Sequence, residues 1–296
     1  MRSAHPITRR LAGFVAVIAS AGTIAALSTT APAAAAPQAA VAAYAPAATA
    51  DITPGVQMYT DGAQCTANFV YTDGASNTYV GYAAHCAGTG AATDTNGCDA
   101  GSLPLGTRVT FARGGSLVSG GTTVGHGTLA YSSWLTMQGR NESNADACEY
   151  NDFALVKVDA ADVSKVNPSV PFWGGPVALN TDESAAGETV YSFGNSSLRG
   201  GVEALSPKQG ASLGAQGNGW SHPVYTVSPG VPGDSGSAFL DSEGNALGTL
   251  STLAIAPLAG SNGVGDLERE LGYAQQHGGI AGLQLVPGTE PFSPIL

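Results

Sequence analysis

Short runs rich in Val, Tyr, Phe and Thr, each cut off after a few residues by Gly, Asn or Asp, recur along most of the chain beyond its first fifty residues. Such runs are too short for helices and carry the β-branched and aromatic residues of strands. Residues 67–71, 79–83, 108–111 and 153–158 are the strand candidates of the first half; 188–193, 223–227, 237–240 and 246–252 are those of the second. The 41 glycines supply tight turns, and only 11% of residues are charged, a mixture that fits an all-β protein. With 43% hydrophobic residues the chain can bury one large core or two small ones. Residues 163–176, with Pro168, Pro171 and Pro176, suit neither a helix nor a central strand. They are read as a crossing between a first half at 51–167 and a second at 168–286. One helix is expected, capped by Asp266, with Leu267, Leu271 and Ala274 on one face and Gly278 or Gly279 as its stop. Residues 280–286 are read as a short strand or ordered tail, and 287–296 as a loose tail.

The first 36 residues read as an address. Arg2, Arg9 and Arg10 precede an apolar run from Leu11 to about Leu27, followed by small residues at 31–36, the pattern of a secretory signal peptide. The Arg9-Arg10 pair partly resembles a twin-arginine signal. Residues 37–50 form an uncharged Ala/Pro-rich stretch, expected to be a flexible leader or short pro-segment. Loss of the three arginines leaves eight basic against 22 acidic residues, a net charge of −14. That charge disfavours nucleic acid and anionic membranes as partners.

Three short motifs carry the chemistry: Ala83-Ala84-His85-Cys86, Asn151-Asp152-Phe153-Ala154-Leu155 and Pro232-Gly233-Asp234-Ser235-Gly236-Ser237. A serine hydroxyl is a poor nucleophile until a base takes its proton, and the base needs an acceptor behind it to fix its tautomer. His85, Asp152 and Ser235 are the candidates for these roles. Taken singly, Ser235 and Asp234 are ordinary turn residues, His85 a structural histidine and Asp152 a solvent-facing acid. Together they stand in the order His, Asp, Ser, which differs from the order of subtilisins and of α/β-hydrolases. An esterase elbow is absent, because Ser237 replaces the last glycine of G-x-S-x-G. His126 and His222 lie in Gly-rich or Pro-flanked contexts with no acid at ligand spacing and are read as surface or structural; His277 is placed in the last helical turn.

Four cysteines in an exported chain favour two disulfides, and no C-x-x-C spacing suggests zinc. Three pairings are open. Cys65–Cys86 with Cys98–Cys148 is favoured, because it clamps the loop beside His85 and the segment entering Asp152.

The three motifs resemble the signature segments of chymotrypsin-like (trypsin-family) serine proteases of the bacterial secreted type, over roughly residues 64–275. The resemblance implies two six-stranded antiparallel β-barrels with the active site between them. It also implies a secreted endopeptidase acting on polypeptides without a cofactor or metal. Gly233 and Ser235 would supply oxyanion-hole N–H groups, Ser251 would bond Asp152, and the Thr252-Leu253 backbone would pair with substrate. No Ile-Val-Gly-Gly start precedes Cys65, and Ile52-Thr53-Pro54-Gly55 matches it weakly. Asp234 therefore needs another cation, for which Arg140 and Arg199 are the candidates. Where trypsin-like members carry a pocket acid, this chain offers Ser228 or Pro229, and Leu253 replaces a common glycine, so cleavage after Lys or Arg is not expected. The competing reading is a catalytically silent homologue that binds ligands through the same cleft.

Overall fold

The computed structural model describes residues 44–90, 94–253 and 259–294. The expected signal peptide lies outside the described residues, as does the leader up to residue 43. From Tyr44 onward the leader is docked: the Ala45 N–H donates to Val166 O, and Asn167 donates to Ala45 O.

The first half contributes β1 (Gln57–Thr60), β2 (Ala63–Thr66), β3 (Val70–Thr72), β4 (Thr78–Tyr82), β5 (Arg108–Arg113), β6 (Thr122–Ser132) and β7 (Ala154–Val158). Two helices interrupt it, α1 (Ser133–Arg140) and α2 (Ala145–Tyr150). The second half adds β8 (Thr189–Phe193), β9 (Pro207–Ser212), β10 (Ser221–Thr226), β11 (Ala238–Leu240), β12 (Ala246–Leu253) and β13 (Asn262–Asp266), then helix α3 (Leu267–His277) and β14 (Gln284–Leu285).

The second half closes into a barrel of six antiparallel strands in the order β10-β13-β12-β11-β8-β9. The first half is an antiparallel sheet of eight strands, in the order β14-β3-β4-β7-β6-β5-β1-β2. It exceeds the expected six because β2 folds back on β1, and because β14 returns from the C-terminus to pair Gln284 with Thr72 and Leu285 with Tyr71. The range 168–286 thus contains a strand that belongs to the first sheet. The supposed loose tail is pinned as well. Thr289 and Glu290 N–H groups both donate to Ser169 Oγ, Ser293 N–H donates to Trp173 O, and Phe292 meets Tyr191 edge-on.

Inward side chains fill each half, with Met58, Val80, Phe111, Leu129 and Val156 in the first and Val190, Val224, Phe239, Leu250 and Val264 in the second. A third cluster lies between them, joining Phe69, Tyr71, Phe153, Trp173, Leu240 and Leu271. Each such side chain contributes about 1.5–3 kcal/mol of burial, and the shared cluster fixes the cleft that the site occupies.

Helix α3 is capped by Asp266, whose Oδ1 accepts the Arg269 N–H at 2.9 Å, and it ends at Gly278. Helices α1 and α2 depart from the expectation of a single helix. Their caps, Ser132 and Asn144, were present in the sequence, but runs of eight and six residues give too few turns for a periodic apolar face.

Candidate active site

His85 stands in the tight 3-10 turn that follows β4. Its position is set by the Ala84 N–H, which donates to Asp152 O at 3.1 Å, and by the Cys65–Cys86 disulfide to β2. The second disulfide is Cys98–Cys148, which ties the preceding loop to α2. Cys65 and Cys86 lie close to His85, but their joined sulfurs offer no thiolate to a metal.

Asp152 is buried between α2 and β7 and fully used. Oδ1 accepts the His85 backbone N–H at 2.8 Å; Oδ2 meets His85 Nδ1 at 2.6 Å and accepts from Ser251 Oγ at 2.6 Å. The carboxylate places the proton on Nδ1, which leaves Nε2 as the basic nitrogen. Burial alone would lower the His85 pKa, but the Asp152 charge and hydrogen bond outweigh it and raise it above 6.5. Burial alone would raise the Asp152 pKa, and the His85 charge and the donors from His85 and Ser251 bring it below its ordinary value.

Ser235 sits in the loop between β10 and β11 and lines the same cleft as His85, Asp152, Gly233, Ser251 and Leu253, with a volume of about 520 Å³. Its carbonyl accepts the Thr66 N–H at 2.8 Å, linking the loop to the first half. Gly236 is required next to it: at φ +89°, a Cβ would stand 2.5 Å from the Thr66 carbonyl oxygen.

Two peptides of this loop are held by their carbonyls. Pro232 O accepts from Ser196 Oγ at 2.6 Å, and Asp234 O accepts from Ser237 N and Oγ at 3.0 and 2.5 Å. Because a trans peptide points its N–H opposite to its C=O, the Gly233 and Ser235 N–H groups are turned away from these anchors. At Gly233 the backbone has φ +94°, and its own carbonyl accepts from Thr66 Oγ1 and Gln64 Nε2.

Asp234 is fully buried beneath the loop. Arg199 Nη2 approaches its Oδ2 at 2.6 Å and Lys208 Nζ at 3.1 Å, while the Ser196 and Val231 N–H groups also donate to it. Burial lowers the Lys208 pKa, partly offset by Asp234. Arg140, the other candidate, lies instead beside Glu142 and Tyr273. The weakly matching Ile52 is engaged elsewhere: its N–H donates to Lys165 O at 3.1 Å. Lys208 and Ser196 were not legible as site residues, because a lysine in a strand reads as solvent-facing and a serine in a turn reads as turn chemistry.

Residues 251–253 of β12 run past the end of β11, which pairs only as far as Thr249. Their other edge pairs with β13, so one backbone edge faces the cleft without a strand partner among the described residues. Asn262 of β13 bridges the walls of the pocket. Its Oδ1 accepts the Gly230 N–H at 2.7 Å, and its Nδ2 donates to Gly230 O and Thr252 O. Sequence reading missed Asn262, since asparagine in a short strand carries no signal of a bridge between two walls.

No family model matches the chain, and no curated protein sequence matches it. The chain is similar in structure to bacterial serine proteases. Thermobifida fusca protease A is 20% identical, over 80% of this chain and 99% of that one, with a TM-score of 0.48. Nocardiopsis protease is 18% identical, over 80% and 99%, with a TM-score of 0.44. A glutamic-acid-specific serine protease is 19% identical, over 75% and 96%, with a TM-score of 0.45. At such identities and scores, the functional reading rests on the chain's own geometry.

Proposed function

We propose that this protein is a serine endopeptidase that works outside the cell. The observation that carries the reading is the short Asp152–His85 pair, buffered by Ser251, set in one cleft with a serine whose flanking N–H groups are turned away from their pinned carbonyls. His85 Nε2 takes the Ser235 proton, and Ser235 Oγ attacks the scissile carbonyl. Asp152 stabilises the imidazolium, and the Gly233 and Ser235 N–H groups receive the oxyanion. The imidazolium returns its proton to the leaving amine, and water, activated by the same His85, hydrolyses the acyl-enzyme. The free edge at 251–253 suits an extended peptide added as a strand. None of these steps calls on a cofactor.

The pocket beside Ser235 supports cleavage after small or medium apolar residues. The stretches 230–233 and 250–253 and Asn262, which line it beside Ser235, carry no charge, whereas Asp94 and Asp152 line other parts of the cleft. Both polar atoms of Asn262 are engaged by the walls, and Leu253 stands at the rim. The two disulfides fit an oxidising compartment, and no helix among the described residues is long and apolar enough to cross a membrane. Internal cations on Asp234 support an enzyme whose activity does not depend on one new N-terminus.

Fluorophosphonate labelling tests the proposal. Wild type is expected to label and Ser235→Ala not to; a folded wild type that never labels would favour the silent binding module. A peptide-library digest dominated by Lys or Arg before the cut would sink the pocket reading. Strict dependence on one processed N-terminus would sink the role of Arg199 and Lys208.

A further inference from the structure

Glu270, in the first turn of α3, is fully buried, and its Oε1 accepts the backbone N–H of Asp152 at 3.2 Å. Oε2 is buried without a hydrogen-bond partner. The surroundings are shaped to admit this side chain. A Cβ at Gly265 would collide with Oε1, and Leu267 and Leu271 of the same helix are buried in the cluster between the two halves. Thr249 of β12 reaches the carboxyl, and its hydroxyl is in turn held by Asn68 Nδ2 at 3.2 Å. The acid therefore sits at the junction of β12, β13, α3 and the segment entering β7.

Resting on the serine-hydrolase reading above, we infer that Glu270 is a positioning residue of the triad that acts as a neutral acid. Its Oε1 fixes the Asp152 backbone from behind, and its lack of charge keeps a second anion from competing for the imidazolium. The ionisable groups acting on it are Asp152 before β7, Asp266 at the α3 cap, and the phenols of Tyr71 on β3 and Tyr131 on β6, all acids. Arg269, the neighbouring cation on α3, points to Glu183. Burial first, and then the Asp152 and Asp266 charges, push the Glu270 pKa well above its ordinary value against the bonds from Thr249 and Asp152 N–H. The net direction favours the protonated form.

The test compares Glu270→Gln and Glu270→Leu in the secreted enzyme, with Ser235 labelling, kcat, KM and the pH dependence of kcat/KM. Glu270→Leu leaves the Asp152 N–H unpaired, and kcat is expected to fall about tenfold with KM little changed. Glu270→Gln keeps the acceptor and the neutral charge. It is expected to recover most of that loss and to leave the midpoint of the acid limb, which reports His85, in place. Should Glu270→Leu not fold, Glu270→Asp, which withdraws the acid from the N–H, carries the same expected fall in kcat. An acid limb lowered by about half a unit or more in Glu270→Gln would show that a negative charge had been removed, and would overturn the neutral acid. Wild-type kcat in the Leu or Asp variant would overturn the positioning role. A wild type that never labels overturns the serine reading and this inference together, whereas a labelling wild type with either of the other results overturns this inference alone.

Discussion

Two histidine–aspartate pairs occur among the described residues, and each has a serine beside it. In the cleft, His85 Nδ1 meets Asp152 at 2.6 Å, with the imidazole 27% exposed. Inside the second barrel, His222 Nε2 meets Asp266 at 2.7 Å and Nδ1 meets Ser184 Oγ at 2.9 Å, with the imidazole wholly buried. His222 lies on β10, so the surface option read from sequence is corrected; its acid arrives from β13, 44 residues later. The residue types are the same, and their chemistry differs because of what is left over. On the proposed reading His85 keeps Nε2 for a substrate-side proton, whereas both His222 nitrogens are engaged by Ser184 and Asp266 in the interior. Ser184 is itself shared with Ser212 at 2.7 Å. A Ser-His-Asp array is thus a knot in one place and proposed machinery in the other, and the spare nitrogen and open cleft separate them.

Exchanging the damage between the pairs is the sharpest way to break this contrast. His85→Ala is expected to lower kcat/KM by about 10⁴-fold or more, and Asp152→Asn by about 10⁴-fold, with a smaller fall in unfolding midpoint than His222→Ala gives, since Asp152 keeps the residue-85 backbone N–H and Ser251 Oγ as donors. Steady-state kinetics beside thermal unfolding would show it; comparable losses from His222→Ala measured below its melting point would erase the distinction.

His222→Ala should instead cost about 3 kcal/mol of stability, since it opens a cavity and strands the buried Asp266, while the folded enzyme still labels at Ser235. Urea unfolding with labelling of the same samples checks both halves.

The cleft pair also carries a pH signature. With the His85 pKa raised above 6.5, kcat/KM should fall below a midpoint higher than 6.5, and Asp152→Asn should move that midpoint down. The stability sign is opposite. A raised folded-state pKa contributes stability that is fully present below about 6.5 and is lost as pH rises through the folded value. An acid limb at or below 6.5 would mean that Asp152 does not govern the imidazole.

The smallest effects fall on the two serines that support the pairs. Ser251→Ala is expected to slow turnover several-fold without altering stability, and Ser184→Ala to destabilise by about 1 kcal/mol without altering turnover. A reversed outcome would exchange their roles.

Legibility followed sequence distance. Strands β4, β7, β8, β11 and β12 were readable because their β-branched and aromatic runs are local and bounded by turn residues. Strands β1, β2 and β9 were not, since Gln57, Gln64 and Lys208 read as polar, whereas Gln57 is buried and bonds Gly115 and Asn195, and Gln64 and Lys208 hold the Ser235 loop at Gly233 O and Asp234. β6 escaped because its Gly and Thr content resembles a turn, although its burial alternates along the strand. Around the site, the three motifs were visible, but Glu270 bonds across 118 residues and Ser196 reaches Pro232 across 36. No local pattern announces such contacts.

By itself, the sequence determined the β class, the capped terminal helix and three motifs of fixed chemical type, because strand propensity, capping and side-chain chemistry are properties of short segments. Tertiary structure alone decided that Arg199 and Lys208 neutralise Asp234, that β14 completes the first sheet, and that Glu270 rather than water meets the Asp152 N–H. Those outcomes depend on which distant segments barrel closure and shared burial bring into contact, and a buried charge or N–H takes whichever partner the packing leaves within reach.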